Sequence, residues 1–189
     1  MTNRSDIAAA LPAILEEIRE VNAKWHVNPD GTPKPHDETF NNRCVLLMKS
    51  ELMEAFEGIR KGNQPDDHLP QYPTESVEML DLFIRSIDNL VFSGEDEAIQ
   101  ALINNIGDDH GTKYVADLND IDFYTVLDMT YTGAYGDIVS ILAGIDLVIA
   151  YCDLKNIPML EIYRAKTDYN KSRADHKLEN RVKVGGKLF

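Results

Sequence analysis

The chain has 189 residues and a net charge of −13, with 43% hydrophobic and 27% charged residues. That length suits one domain with a sizeable buried core, and the composition is ordinary for a soluble globular protein. The acidic balance argues against nucleic acid and anionic membrane surfaces as partners, because both are gripped through Lys and Arg.

Two cysteines, Cys44 and Cys152, each sit inside an apolar helical pattern and read as buried, reduced thiols. No signal peptide is expected, since Met1 to Ala10 lacks a long apolar stretch. The most apolar run, Ile138 to Tyr151, carries Asp146 and is shorter than the roughly 20 residues needed to span a bilayer. The expectation is a cytoplasmic protein with no membrane partner.

A first helix is predicted from a cap at Ser5 or Asp6 to about Ala23, with Ile7, Leu11, Ile14, Leu15, Ile18 and Val21 as its apolar stripe. Trp25 and His26 follow, and the Pro- and Gly-rich run 28–35 must be loop. A second helix should run from about Asp37 to Lys61, burying Val45, Met48, Leu52, Ala55, Phe56 and Ile59. Glu51 and Glu54 flank that stripe. Gly62 ends it, and Pro65, Pro70 and Pro73 prevent continuation.

Thr74 is the expected N-cap of a third helix reaching about Phe92, whose core face is Val77, Leu80, Phe83, Ile84, Ile87 and Val91. Glu78, Asp81, Arg85 and Asp88 form a polar stripe beside it. The short connection favours antiparallel packing of the second and third helices. Further helices are expected over Glu95–Ile106, Ile121–Met129, Gly136–Leu154 and Pro158–Ser172, with Asp108–Asn119 irregular. No period-2 run persists, so the fold class is all-α: an antiparallel helical bundle forming a single domain over 1–189.

The most informative pattern is a pair of acidic pairs, Glu51–x–x–Glu54 and Glu78–x–x–Asp81, on the two helices expected to pack together. Residues at i and i+3 are neighbours on a helix, so four carboxylates would converge and offer hard oxygen ligands to a divalent cation. The alternative is a pair of solvated faces with Arg85 bonding Asp81 or Asp88. Other signatures are missing: there is no Gly-rich phosphate loop, no nucleophile elbow and no Glu–x–x–His. The basic residues concentrate late. From Arg164 to Phe189 there are eight Lys and Arg against three Asp and Glu, and 174–189 forms a basic C-terminal tail.

Three stretches, Met48–Lys–Ser–Glu–Leu–Met–Glu–Ala–Phe–Glu–Gly–Ile–Arg–Lys–Gly62, Asp66–Asp–His–Leu–Pro70 and Glu78–Met–Leu–Asp–Leu–Phe–Ile–Arg85, resemble the MazG-type all-α nucleoside triphosphate pyrophosphohydrolases. Lys166–Thr–Asp–Tyr–Asn170–Lys–Ser–Arg173 and Gly185–Gly–Lys187–Leu–Phe189 resemble the terminal region of phage and bacterial members. The resemblance implies a MazG-like bundle in which Glu51, Glu54, Glu78 and Asp81 ligate Mg²⁺, or alternatively Mn²⁺. It places Glu51 or Glu54 nearest the attacking water, and Lys166, Asn170 and Arg173 against the substrate's phosphates or sugar. Trp25 either stacks on the base or belongs to the core. The implied reaction hydrolyses a nucleoside or deoxynucleoside triphosphate to the monophosphate and pyrophosphate. The alternatives are an all-α dUTP or phosphoribosyl-ATP pyrophosphohydrolase, or a non-catalytic helical nucleotide-binding protein.

The implied assembly is a homo-oligomer, a dimer or tetramer. The chain departs from the family pattern in three places. Segment 93–135 is an apparent insertion, Ser50–Glu51 stands where a doubled acid is usual, and Val184–Gly–Gly–Lys stands where a His–Gly–Gly–Lys is usual.

Overall fold

The computed structural model describes residues 3–28, 30–108, 110–135 and 137–173. Eight α-helices follow in order: α1 (Asn3–Asn22), α2 (Glu38–Arg60), α3 (Thr74–Ser93), α4 (Asp96–Asn105), α5 (His110–Val115), α6 (Asp120–Gly133), α7 (Ile138–Leu154) and α8 (Met159–Ser172). A 3₁₀ turn, Ala23–Trp25, extends α1. The described residues hold no strand, only isolated bridges at Val27–Pro33 and Pro65–Pro73, so the all-α expectation is met. No helix among them is long and apolar enough to cross a membrane.

Local chemistry accounts for most boundaries. The Asp37 side chain accepts from the Phe40 N–H (3.0 Å) to start α2. Asn119 and Asp137 do the same for α6 and α7. Gly62, at φ 81°, supplies the left-handed residue just beyond α2 that a side chain would make costly. Four features differ from expectation. Ser5 and Asp6, the expected caps, lie inside α1, which already includes Asn3, and α6 runs to Gly133 rather than ending near Met129. Thr74 does not cap α3: Pro73 takes that position in extended conformation, and the Thr74 hydroxyl donates to the Gln64 carbonyl (2.9 Å). Within the stretch expected to be irregular lies α5, a short helix that packs on α7.

Helices α2 and α3 form the most extensive pairing, and it is antiparallel. Asn63 bonds Glu75, Glu51 pairs with Arg85, and the Asn89 amide donates to Asn41, in that order along the two helices. Gly58 permits the close approach: a Cβ there would sit 3.0 Å from the Glu75 nitrogen and 3.2 Å from the Thr74 Cβ. The sequence pattern gives α3 one apolar face, yet it is buried nearly all round, with Met79, Leu82, Ser86, Asn89 and Leu90 covered as well. It is the central helix, touched by α1, α2, α4, α7 and α8.

Segment 93–135 is part of the same core. Phe123, Leu127 and Tyr131 of α6 are buried, and α6 packs on α2 and α7. Arg4 ties α1 to Asp146 of α7 (2.5 Å) and to the carbonyl of Ile106 (3.0 Å). Cys44 and Cys152 are free and buried, as expected.

The first turn of α3 is pinned through Glu75. Its carboxylate accepts from Tyr151 (2.5 Å), Tyr124 (3.4 Å) and the Asn63 amide (3.0 Å). Burial, then the Glu75 carboxylate, pushes the Tyr151 hydroxyl well above its ordinary pKa, so it stays a donor. Replacing Glu75 with Ala removes that acceptor from all three groups and leaves Tyr151 only the 3.4 Å bond to Asp120. The expected cost is about 1–3 kcal/mol in chemical denaturation, from buried donors left unpaired. An unchanged midpoint would mean that Glu75 is not the brace described.

Candidate metal and phosphate site

All eight residues singled out from the sequence line one cleft of about 310 Å³: Trp25, Glu51, Glu54, Glu78, Asp81, Lys166, Asn170 and Arg173. Four elements build it. The end of α1 and its 3₁₀ turn supply Val21, Asn22 and Trp25. Helix α2 contributes Arg43, Leu47, Glu51 and Glu54, and α3 contributes Glu78, Asp81, Arg85 and Asp88. Helix α8 closes one side with Lys166 and Asn170, and Arg173 lies just past its last residue.

The cleft has two chemically distinct ends. Arg43 and Glu54 are eleven residues apart on α2, a span of roughly 16 Å at the helical rise of about 1.5 Å per residue. Because α3 runs antiparallel, Glu78 and Asp81 lie beside Glu51 and Glu54, whereas Ile84 and Asp88 lie towards Leu47 and Arg43. One end is therefore carboxylate-rich. The other is walled by Trp25, Val21, Phe40, Leu47 and Ile84.

At the acidic end, one carboxylate oxygen each from Glu51, Glu54 and Glu78 falls within 4.8 Å of the others. Asp81 stands slightly apart, its Oδ2 held 2.7 Å from Lys166 Nζ. Arg85 bonds Glu51, and not Asp81 or Asp88. Among the described residues neither Glu54 nor Glu78 has an ion pair. Lys166 is buried against Asp81 rather than reaching outward, and Asn170 and Arg173 line the cleft further along the chain.

The electrostatics follow from crowding like charges in a sheltered place. Burial, reinforced by Asp81, pushes the Glu78 carboxyl up to about 9. Burial, then the charges of Glu51 and Asp81, raises Glu54. Asp81 is also raised, by burial first, with Lys166 opposing. Burial disfavours the Lys166 cation, yet Asp81 outweighs it and holds Lys166 above its ordinary value. Four carboxylates here face two cations, Arg85 and Lys166. When all are ionised, two negative charges remain, the charge that one divalent cation neutralises. The donors are all carboxylate oxygen, which suits a hard ion such as Mg²⁺ or Mn²⁺.

A pH dependence follows. The folded chain keeps a proton on Glu78 that the unfolded chain has released. The resulting stabilisation is full below the ordinary carboxyl pKa of 4.5 and is lost as pH rises through about 9. The metal-free protein should therefore melt at progressively lower temperature between pH 6 and pH 9. Millimolar Mg²⁺ should flatten that slope, and calorimetry in buffers of different ionisation enthalpy should register proton release on binding. A slope unaffected by Mg²⁺ would remove Glu78 from the ligand set.

Of the other acidic residues, Glu57 is held at the surface by Arg60 and Lys61, and Glu75 serves the tyrosine brace. Asp88 belongs to a separate network. Both of its oxygens lie 3.2 Å from His26 Nε2, and Asn22 donates to it at 2.9 Å. His26 is buried, stacked on Phe92 with centroids 3.4 Å apart, and its Nδ1 meets His36 Nε2 at 3.1 Å. No helical spacing relates these histidines, because they stand at the two ends of a turn-rich loop that brings them together. Trp25 is neither core nor free: it is half-buried on the cleft wall with Lys24 Nζ 5.6 Å from its ring.

His68, in the loop joining α2 and α3, also lines the cleft and carried no sequence signal beyond its place in the Asp66–Asp–His–Leu–Pro70 run. The basic tail 174–189, with Gly185, Lys187 and their neighbours, lies outside the described residues. No protein-family model, no curated protein and no solved structure matches the chain, so the reading of this cleft rests on its own residues.

Proposed function

We propose that the chain is a divalent-cation-dependent nucleoside triphosphate pyrophosphohydrolase of the MazG-like kind. The observation that carries this reading is the convergence of Glu51, Glu54 and Glu78 within 4.8 Å, in a cleft shared with Lys166, Asn170, Arg173 and an aromatic wall. The order of side chains matches what a nucleotide requires: ligands for a metal and phosphates at one end, an apolar surface for a base at the other.

Glu51, Glu54 and Glu78 would hold Mg²⁺ or Mn²⁺, with Asp81 beside them. When bound, such an ion supplies Lewis-acid polarisation of the phosphate chain and a more acidic water. The chain's own residues do the rest. Arg85 fixes the Glu51 carboxylate in one orientation. Lys166 fixes Asp81 in the same way. Glu54 is the best-placed acceptor for the water's proton: it is exposed to the cleft, no ion pair holds it among the described residues, and its raised pKa brings it nearer neutrality. Asn170 and Arg173 supply hydrogen-bond donors to phosphoryl or sugar oxygens. Trp25 offers a face for the base.

A screen of canonical and modified nucleoside triphosphates for Mg²⁺-dependent pyrophosphate release tests this directly. Release from none of them would overturn the hydrolase reading. It would favour a binding protein, for which the ion pairs on Glu51 and Asp81 supply a specific argument: they already satisfy half of the carboxylates. A homo-oligomer and a cytoplasmic setting accompany the proposal, and sedimentation would report the first.

A further inference from the structure

The loop between α2 and α3 is held stiffly. The buried Asp66 carboxylate accepts from the N–H groups of His68 (2.9 Å) and Leu69 (2.8 Å), and the Leu69 side chain is buried. The Asp66 N–H donates to the Tyr72 carbonyl at 2.9 Å, closing the turn. The backbone of His68 is thus fixed at the cleft rim. Its ring lies against Tyr169 of α8, with centroids 5.0 Å apart, and the same Tyr169 ring carries the Arg173 guanidinium at 5.6 Å. Among the described residues, neither ring nitrogen of His68 has a hydrogen-bond partner.

Position along the cleft says what those nitrogens face. His68 follows the C-terminal end of α2, beyond Glu54, and precedes the N-terminal end of α3, before Glu78. The order along the cleft is therefore Trp25, then the carboxylates, then His68. A nucleotide with its base on Trp25 and its α-phosphate over the carboxylates would extend its outer phosphates towards His68. Two of the cleft's cations are committed, Arg85 to Glu51 and Lys166 to Asp81. His68 adds a donor beside those that Asn170 and Arg173 offer the phosphates.

Resting on the pyrophosphohydrolase reading above, we infer that His68, propped on Tyr169, is a substrate-binding residue that grips the β- and γ-phosphates and then the pyrophosphate product. The imidazole donates an N–H to a phosphoryl oxygen, a charge-assisted bond made by a group already in place. The preorganised loop means that little ordering is needed on binding.

Calorimetry with Mg²⁺-pyrophosphate, and separately with the four deoxynucleoside monophosphates in Mg²⁺, tests the assignment. His68→Ala should weaken pyrophosphate binding about tenfold, the scale of one charge-assisted hydrogen bond at a partly exposed site. Monophosphate binding should stay within about twofold of wild type. In turnover, KM should rise with kcat changed far less, the signature of lost ground-state and transition-state binding alike. His68→Arg should restore pyrophosphate affinity, and Tyr169→Leu should weaken it about threefold with His68 present, since an unpropped side chain pays more entropy to bind.

Equal pyrophosphate affinity in wild type and His68→Ala would overturn the inference. So would no wild-type affinity for Mg²⁺-pyrophosphate, or equal losses of both ligands. Wild-type binding of pyrophosphate without release of it from any nucleotide would overturn the hydrolase reading, while the His68 comparison would still decide the phosphate contact.

Discussion

On the proposed pyrophosphohydrolase reading, Glu54→Ala should lose Mg²⁺-dependent pyrophosphate release by about 10²–10⁴-fold, the range for removing a general base, while leaving the fold intact. The expectation of an intact fold is specific. Glu54 is exposed, and no ion pair holds it among the described residues, so truncation leaves no buried partner stranded. Its carboxylate is also repelled by Glu51 and Asp81, so removal relieves charge. Helicity and melting temperature should match wild type.

Asp81→Ala is predicted to abolish turnover too, but through a different route. It strands the Lys166 cation, which is 3% exposed. An uncompensated buried charge of that kind costs about 3–5 kcal/mol, so this variant should also melt markedly lower. The contrast separates the two roles, Glu54 in chemistry and Asp81 in organising Lys166. Full activity in both variants would remove the cleft as the active site. Equal loss of stability in both would mean that Glu54 is structural.

The second large effect concerns stability. Gly144 lies on α7 where an added Cβ would stand 2.6 Å from Tyr131 Cζ and 2.8 Å from its hydroxyl oxygen. Tyr131 cannot yield easily: it is wholly buried on α6, and its hydroxyl meets Ser86 Oγ of α3 at 2.8 Å. Gly144→Ala would gain helix propensity yet force α6, α7 and α3 to adjust together. The net cost should be about 2 kcal/mol, which at this chain length lowers the melting temperature by about 4–8 °C. Tyr131→Leu in the same chain vacates the contested space, so the double variant should be more stable than the sum of the two singles. A melting temperature within a degree of wild type for Gly144→Ala would show that the packing is looser than described. Activity should change little, because neither residue lines the cleft.

Much of this was legible along the chain because helix formation is local. Apolar residues at helical spacing, the Asp37 cap, the terminal Gly62 and the proline-broken connection place α2 and α3 within a residue or two. The acidic pairs sit on those helices, and a short antiparallel connection brings them face to face. Where local signals conflict, the reading failed. Thr74 has a cap's chemistry, but Gln64 takes its hydroxyl. The stretch containing α5 lacks a clear stripe, because six residues make too short a helix to display one, and its support comes from α7.

The site divides in the same way. Which carboxylates share a helix face can be read from their order along the chain, since an i,i+3 spacing is fixed by the helix whatever it packs on. What each carboxylate answers to depends instead on how the helices pack. Arg85 settles on Glu51, Lys166 folds inward onto Asp81, and burial and neighbouring carboxylates raise the pKa values of Glu54 and Glu78. That packing carries His68 to the cleft and joins His26 to His36 across a loop. Ion pairs and loop placements depend on distances between elements far apart in the chain. Those distances follow from how side chains pack in three dimensions, which spacing along the chain does not encode.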